Sequence, residues 1–317
     1  MNSMSMVFPG QGSQRVGMGR DALSLRPDLL DEYYRRADDL LGMDLSRLCW
    51  EGPAESLGDT ANTQPAILLT SVVTFEVLRA RGIEPAAVAG HSLGEYAALV
   101  AAGALEWTDA LRLVRLRGEL MAAVNTRVPG TMAAVVGLPL SVVEGLCRAA
   151  ADDTGQVVEV ANENEPAQTV VSGTHQAVQQ VSATAREAGA TRIVRLSVGA
   201  PFHCSLMRSI EAEYADALAD VDFRDPRIPV VSTVTGRPLA DAGAVIGALR
   251  LQLTGRVRWT QAVREMTASG IDTFIEVGPG KVLSGLCRRI APGSRTHTTY
   301  DARQLDRTTH EFAVSAR

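Results

Sequence analysis

Short apolar segments alternate with longer helical patterns through the first part of this chain. One strand pattern ends at Val7-Phe8, directly before a Pro-Gly pair, and a second covers residues 86–89. Helical patterns cover residues 27–41, 64–81 and 93–102. Strands separated by segments of helix length pair in parallel, because each crossover needs a dozen or more residues. The pattern therefore predicts an α/β fold with a mainly parallel sheet flanked by helices.

The order of predicted strands and helices changes between residues 130 and 196. This stretch predicts the order strand, helix, strand, strand, helix, strand, which is the ferredoxin-like arrangement. The strand patterns lie at 131–136, 157–161, 169–172 and 192–196, and the helical patterns lie at 141–151 and 175–188. We interpret residues 130–196 as a small subdomain inserted into a larger one.

The first architecture resumes after this insertion. Strand patterns at 229–234 and 273–277 flank helical patterns at 242–253 and 260–268. Residues 1–129 and 197–292 are therefore predicted to form one large subdomain. Beyond about Pro292 the chain is polar with little periodicity. We predict that residues 293–317 form a surface tail.

A Gly-x-Ser-x-Gly motif, Gly90-His91-Ser92-Leu93-Gly94, lies between a predicted strand and a predicted helix. In this context the motif forms a nucleophile elbow, and it predicts an α/β-hydrolase-like large subdomain. The glycines are needed because the sharp turn leaves no room for β-carbons. The helix N-terminus offers free N–H groups to a developing oxyanion, with Leu93 as the first donor. The alternative, a Gly/Ser turn that only starts a helix, is less favoured by this context.

A serine nucleophile needs a base within hydrogen-bond reach, and the chain has five histidines. His91 adjoins the serine, but the direction of the backbone turns its side chain away. His175 lies in the insertion, and His297 and His310 lie in the predicted tail. His203 remains, just after the last strand of the insertion, where the chain returns to the main sheet. It is the candidate base, although a single histidine is more often structural.

One arginine lies on the apolar side of a predicted helix at 108–125. A turn of about 100° per residue places Arg117 within the apolar stripe, whereas Arg112 and Arg115 fall on the other side. A buried guanidinium is costly unless it meets an anion. Arg117 is therefore either half of a buried ion pair or a bidentate clamp on a substrate carboxylate. The stripe consists of Leu113, Leu116, Leu120, Met121 and Val124.

Composition excludes several classes of function. A net charge of -5 disfavours general nucleic-acid binding. Four scattered cysteines have neither disulfide-framework nor zinc-site spacing. The glycine turns at residues 10–14 and 278–281 lack the spacing of nucleotide phosphate loops. The N-terminus lacks a signal-peptide pattern, and no apolar run approaches about 18 residues, so we expect a cytoplasmic protein with no membrane association.

Taken together, five segments resemble the malonyl-CoA:acyl carrier protein transacylases, and the resemblance runs from the N-terminus to about Ile290. This family includes fatty-acid synthesis enzymes and discrete acyltransferases of polyketide synthesis. The segments are FPGQGSQ at 8–14, GHSLGE at 90–95, Arg117, PFH at 201–203 and EVGPG at 276–280.

The resemblance implies a ping-pong reaction that moves malonyl, or a substituted malonyl, from coenzyme A to the thiol of an acyl carrier protein. Ser92 would be acylated and His203 would act as its base, oriented by the backbone carbonyl of Gln252. The N–H groups of Gln11 and Leu93 would form the oxyanion hole. Arg117 would hold the malonyl carboxylate, with Phe202, His91, Gln252 and Asn162 also at the substrate. No metal or redox cofactor is implied, and the enzyme is expected to be a monomer.

Several points stay open at this stage. A serine hydrolase or thioesterase would use the same elbow, and a non-catalytic module that docks the carrier is a third possibility. Phe202 and Leu93 resemble a malonyl-selective pattern, but a branched extender unit is not excluded. Relatives commonly have Asn where this chain has Thr233. Arg208, Arg288 and Arg289 are candidates for docking an acidic carrier protein.

Overall fold

The computed structural model describes residues 3–315, and its strands form two separate sheets. The first is a five-stranded parallel sheet, and the second is a four-stranded antiparallel sheet. The strands are β1 Ser3–Phe8, β2 Ala87–Gly90, β3 Gly130–Val136, β4 Val158–Glu165, β5 Gln168–Thr174, β6 Arg192–Arg195, β7 Val230–Val231, β8 Ile271–Glu276 and β9 Arg295–Thr298.

Helices cover the faces of both sheets. A π-helical segment at Leu30–Arg35 and a 3₁₀ segment at Ser205–Ile210 accompany them. The α-helices are α1 Arg20–Leu25, α2 Arg36–Leu41, α3 Leu45–Glu51, α4 Ala54–Gly58, α5 Thr60–Arg79, α6 Gly94–Ala101, α7 Trp107–Arg127, α8 Leu140–Thr154, α9 His175–Glu187, α10 Glu211–Ala219, α11 Ala242–Leu251, α12 Trp259–Ala268, α13 Val282–Ile290 and α14 Ala302–Ser315.

The large sheet has the order β7-β2-β1-β8-β9, with β1 at its centre. Met6, Val7 and Phe8 of β1 are fully buried, as expected for a parallel strand covered on both faces. Phe8 pairs with Gly90 at the carboxyl ends of β1 and β2. The loops that follow these two strands therefore meet at one edge of the sheet, which is where open α/β sheets bind ligands.

The small sheet has the order β4-β5-β3-β6, which is the ferredoxin-like arrangement. Its strands alternate between two environments because successive side chains point to opposite faces. On β3, Ala133 and Val135 pack in one core with α8 and α9, whereas Met132 and Ala134 belong to the main core on the other face. The predicted fold class, an α/β-hydrolase-like large subdomain with an inserted ferredoxin-like one, is confirmed.

The prediction of a surface tail at 293–317 is wrong for the part that the structure describes. Strand β9 pairs in parallel with β8 and extends the large sheet, and α14 follows it. The apolar periodicity is weak because threonines share the buried positions: Leu305, Thr308 and Thr309 are at most 3% exposed. An edge strand with one exposed side also resembles a polar loop in sequence.

Other boundaries differ from the sequence patterns. The predicted helix at 27–41 is a π-helical segment followed by α2, and the predicted strand at 229–234 shortens to β7. Within residues 3–315, no helix has the length and apolarity needed to span a bilayer.

Candidate active site

Ser92 lies in the sharp turn between β2 and α6. Its φ of 53° is in the left-handed region, which a residue with a β-carbon rarely adopts. The flanking glycines permit the turn. A β-carbon on Gly90 would lie 2.0 Å from the carbonyl carbon of Gly94, and one on Gly94 would lie 2.1 Å from the oxygen of Phe8. The strand-turn-helix context predicted for the motif is therefore present.

His203 is brought to Ser92 across 111 residues of sequence, with 2.7 Å between Ser92 Oγ and His203 Nε2. On the other side of the ring, Nδ1 is 2.9 Å from the carbonyl oxygen of Gln252 and 3.1 Å from that of Gly255. Carbonyl oxygens only accept, so Nδ1 carries the proton and donates it. Nε2 is then the acceptor that faces the serine hydroxyl.

The environment keeps this imidazole neutral. His203 is 4% exposed. Burial, the nearby positive charge of Arg117 and then His91 lower the pKa of His203 to about 3. Hydrogen bonds from the ring to the two carbonyls oppose this shift. A neutral imidazole whose Nε2 faces Ser92 Oγ can accept the serine proton at neutral pH.

Arg117 of α7 is 2% exposed, and its guanidinium reaches Ser92. One terminal nitrogen donates to Ser92 Oγ at 3.2 Å and to Gln252 Oε1 at 3.0 Å, and the other donates to Gln64 Oε1 at 2.8 Å. The guanidinium carbon also lies 5.9 Å from the ring centre of Tyr96. None of the ion pairs among residues 3–315 includes Arg117. Its charge is buried among neutral acceptors.

Gln11 and Leu93 follow the adjacent strands β1 and β2, and both line the cleft in front of Ser92. Neither backbone N–H donates to another group of the described chain. Close approach of the two loops requires Gly10, where a β-carbon would lie 2.5 Å from the oxygen of His91. Two free N–H groups at the end of the sheet suit an oxyanion.

A cleft of about 380 Å³ opens in front of these groups, between the two sheets. The large subdomain lines one side, including Phe202, which is 7% exposed. Asn162 of β4 is 6% exposed and also lines it. The small subdomain contributes a mainly aliphatic wall, formed by Met132, Ala134, Val136, Val170, Val194 and Leu196.

His91 forms part of the cleft wall and makes no hydrogen bond to His203 or to the Ser92 hydroxyl in the described chain; its ring faces another partner. Its Nε2 lies 2.9 Å from Asn164 Oδ1, and its ring packs 5.7 Å from that of Trp259. Burial lowers the pKa of His91. The structure thus gathers all the sequence-predicted site residues around one cleft, with Gln252 behind it.

The sequence analysis assigned no specific role to Gln64, Glu95 or Asn164. Gln64 and Glu95 are at most 1% exposed, on helices α5 and α6, whose other residues are almost all apolar or small. A polar side chain on a helix without a polar face is a detectable signal. Asn164 lies two residues after Asn162 on β4, so its side chain is expected on the same face of the sheet. This spacing was a second signal that Asn164 lines the cleft.

No group of three or more His, Cys, Asp or Glu residues in the described chain could hold a metal ion. The four cysteines are unpaired and buried.

Comparison with known proteins gives a consistent picture. Residues 5–292 match the sequence profile of the acyl transferase domain family. The chain is 43% identical over 291 residues to the malonyl CoA-acyl carrier protein transacylase of Escherichia coli (strain K12), covering 92% of this chain and 93% of that protein. It is 39% identical over 309 residues to the Bacillus subtilis (strain 168) protein of the same name, with 96% of each chain covered.

Solved structures agree in fold. The acyl carrier protein S-malonyltransferase of Vibrio cholerae O1 superposes with a TM-score of 0.91 at 41% identity, over 97% of this chain and 100% of that one. A malonyl-transacylase solved in complex with its type II polyketide synthase acyl-carrier protein superposes with a TM-score of 0.93 at 38% identity. The latter match covers 98% of this chain and 100% of the other.

Proposed function

The chain belongs to the acyl transferase domain family, among the malonyl CoA-acyl carrier protein transacylases, and on that premise we propose that it transfers malonyl from coenzyme A to an acyl carrier protein. The proposal adds residue roles: Ser92 is the nucleophile, His203 is its base and Arg117 binds the substrate carboxylate.

One observation carries the substrate assignment. A guanidinium that is 2% exposed lies within 3.2 Å of the nucleophilic oxygen, with no acidic partner in the described chain. Leaving a buried positive charge unpaired is costly, so a site that does so is built for an anionic ligand. In a malonyl thioester, one methylene carbon separates the free carboxylate from the thioester carbonyl. A bound malonyl group can therefore place one end on Arg117 and the other on Ser92.

In the first half-reaction, Ser92 Oγ attacks the thioester carbonyl carbon while His203 Nε2 takes the hydroxyl proton. The carbonyl oxygen becomes an oxyanion that accepts hydrogen bonds from the N–H groups of Gln11 and Leu93. When the tetrahedral intermediate collapses, the carbon–sulfur bond breaks. His203 returns its proton to the departing thiolate, leaving coenzyme A and a malonyl ester on Ser92.

In the second half-reaction, the thiol of the carrier's phosphopantetheine attacks that ester. His203 accepts the thiol proton and then passes it to the Ser92 oxygen as the ester bond breaks. Throughout both halves the carbonyls of Gln252 and Gly255 keep the ring oriented. Arg117 holds the carboxylate in both halves, so the acyl group stays in place while the thiols exchange.

Phe202 sets the space beside the malonyl α-carbon in this proposal. Its ring lines the cleft and lies directly before His203 in sequence. A bulky ring at this position favours an unsubstituted malonyl over a branched one. The aliphatic wall of the small subdomain accommodates the pantetheine arm that both coenzyme A and the carrier possess.

The carrier docks, in this proposal, on basic residues beside α13. Arg288, Lys281 and Arg307 line a second cleft, of about 460 Å³, whose lining includes no acidic residue. Val282, Leu283 and Leu286 of the same helix line the active-site cleft. An acidic carrier bound here would lie beside the site. Arg289 is a weaker candidate because it pairs with Glu165.

We propose a monomer acting in the cytoplasm. One chain supplies the nucleophile, the base, both oxyanion donors and the guanidinium. The two proposed substrates, malonyl-CoA and an acyl carrier protein, are both intracellular.

The test offers purified protein first malonyl-CoA and then holo carrier protein. Transfer predicts a stable malonyl ester on Ser92 that the carrier thiol discharges, and Ser92→Ala should form none. Rapid release of free malonate without carrier would instead identify a hydrolase. Carrier binding with no ester at all would leave only a docking module.

A further inference from the structure

Two side-chain carboxyls are completely buried among the described residues, Glu95 and Glu276, and they make different contacts. Glu276 accepts hydrogen bonds from the N–H groups of Leu283 and Ser284, at 3.1 Å and 2.8 Å, and so holds the start of α13. Glu95 lies on the first turn of α6, three residues after the nucleophile. Its Oε2 collects donors from Gln252 and Thr233. Only Glu95 is connected to the catalytic groups.

The connection runs through the side-chain amide of Gln252. Its Nε2 donates to Glu95 Oε2 at 3.1 Å and to the carbonyl oxygen of Ser92 at 3.1 Å. Its Oε1 accepts from Arg117 at 3.0 Å. The backbone carbonyl of the same residue orients His203. Gln252 therefore contacts all three groups to which we assign the chemistry.

The two ends of a glutamine amide have nearly the same shape, so their partners decide which end points where. Arg117 only donates, and Glu95 Oε2 accepts from both the N–H and the Oγ1 of Thr233, so it is an acceptor toward Gln252 as well. With Oε1 facing Arg117 and Nε2 facing Glu95, every contact matches. The reversed amide would place NH₂ against the guanidinium and oxygen against the carboxylate. Glu95 and Arg117 therefore select one orientation of Gln252 between them.

The neutral amide between these two side chains also keeps Arg117 out of an ion pair with Glu95. A buried carboxylate in direct contact with the guanidinium would occupy the hydrogen bonds that a substrate carboxylate needs. Placed one amide away, the Glu95 carboxyl does not take those donors. Thr233 Oγ1 helps to locate the carboxylate, at 3.1 Å from Glu95 Oε2.

We propose that Glu95 is a positioning residue for carboxylate selection: through Gln252 it holds Arg117 in place and unpaired, ready for the carboxylate of the acyl substrate. This inference rests on the proposed function. It assigns the preference for a carboxylate-bearing acyl group to a relay of three residues, Arg117, Gln252 and Glu95, rather than to Arg117 alone.

The test compares acylation of the enzyme by malonyl-CoA and by acetyl-CoA, which lacks the carboxylate. Glu95→Gln keeps the size of the side chain but leaves one accepting oxygen in place of two. We expect the ratio of kcat/KM for malonyl over acetyl to fall roughly tenfold, the effect of weakening one charge-assisted hydrogen bond. The matched control is Glu276→Gln, which should lower Tm while leaving the ratio unchanged.

A second variant moves the carboxyl group from residue 95 to residue 252. In the double substitution Glu95→Gln with Gln252→Glu, the composition is unchanged but the carboxylate contacts Arg117 directly. We expect malonyl acylation to fall further than in Glu95→Gln, because the internal carboxylate now competes for the guanidinium. Should Glu95→Gln fail to fold, Thr233→Val removes one donor to Oε2 and should lower the same ratio by a smaller factor.

An unchanged ratio in the folded Glu95 variant, or in Thr233→Val if that variant carries the test, would overturn the inference. So would equal losses with both substrates, which is what a purely structural role predicts. Retained malonyl acylation in the double variant would contradict it as well. The proposed function is judged separately, since it fails only if the unaltered protein does not form or transfer the malonyl ester.

Discussion

The two subdomains meet at the same cleft but contribute different kinds of side chain. The large one supplies hydrogen-bonded polar groups, and its two key residues have strained backbones: Ser92 and His203 are the only residues other than glycine with positive φ in the described chain. The small one supplies mainly one aliphatic face of an antiparallel sheet, together with Asn162, Asn164, Gln168 and Arg192. In the proposed mechanism, chemistry therefore depends on the large subdomain, and the small one shapes the space for the substrate.

The largest effect should come from the strained pair. Ser92→Ala removes the nucleophile, and we expect transfer to fall by about 10⁴-fold or more. His203→Ala should cause a loss of similar size, because the two groups act as a unit. Single-turnover acylation by malonyl-CoA measures both. Substantial acylation of Ser92→Ala would mean that another residue is the nucleophile. It would contradict the assignment of the chemistry to the strained residues of the large subdomain.

Arg117 should come next. Arg117→Ala removes about two charge-assisted hydrogen bonds to the substrate carboxylate, so we expect kcat/KM for malonyl-CoA to fall roughly 100-fold. Acetyl-CoA should lose far less. Arg112→Ala is the matched control, because Arg112 lies on the solvent side of the same helix and pairs with Asp109. Equal losses for both substrates would mean that Arg117 supports the fold rather than the carboxylate.

The fold class and the position of Ser92 were accessible from sequence because they rest on periodic and motif signals, whereas His203 was chosen by eliminating the other four histidines. The glycines at positions 90 and 94 predict the sharp turn directly. Arg117 could be noticed because it lies on an apolar helix stripe. The C-terminal segment was not accessible, since Thr308 and Thr309 fill buried positions without apolar residues. The Glu95–Gln252 contact was hidden for a different reason: 157 residues separate its partners, and only the assembled sheet brings them together.

The small subdomain should act on substrate binding rather than on chemistry. Asn162→Ala removes a polar group from the cleft wall, and we expect KM for malonyl-CoA to rise about three- to tenfold while kcat stays nearly constant. Glu163→Ala is the control, because Glu163 is the next residue of β4 and does not line the cleft. A large fall in kcat for Asn162→Ala would mean that the small subdomain takes part in the chemistry. It would then contradict the division between a catalytic and a substrate-binding subdomain.

The smallest effect concerns pH. Because burial and the charge of Arg117 lower the pKa of His203 to about 3, the base stays neutral well below the ordinary histidine range. We expect kcat/KM for acylation to be nearly flat between roughly pH 5 and 7.5. A bound malonyl carboxylate offsets the Arg117 charge and raises the pKa of His203. The acidic limb of kcat should then lie at higher pH than that of kcat/KM. A fall in kcat/KM centred near about pH 6.5 would mean that His203 is not held neutral.

The central claim is that Ser92 carries malonyl between two thiols, and intact-protein mass spectrometry tests it most directly. The protein is mixed with equal concentrations of malonyl-CoA and acetyl-CoA, and holo carrier protein is then added. The account predicts a malonyl adduct on the Ser92 peptide, little acetyl adduct, and discharge that requires the carrier thiol. No adduct, a preference for acetyl, or equally fast discharge by water would contradict it.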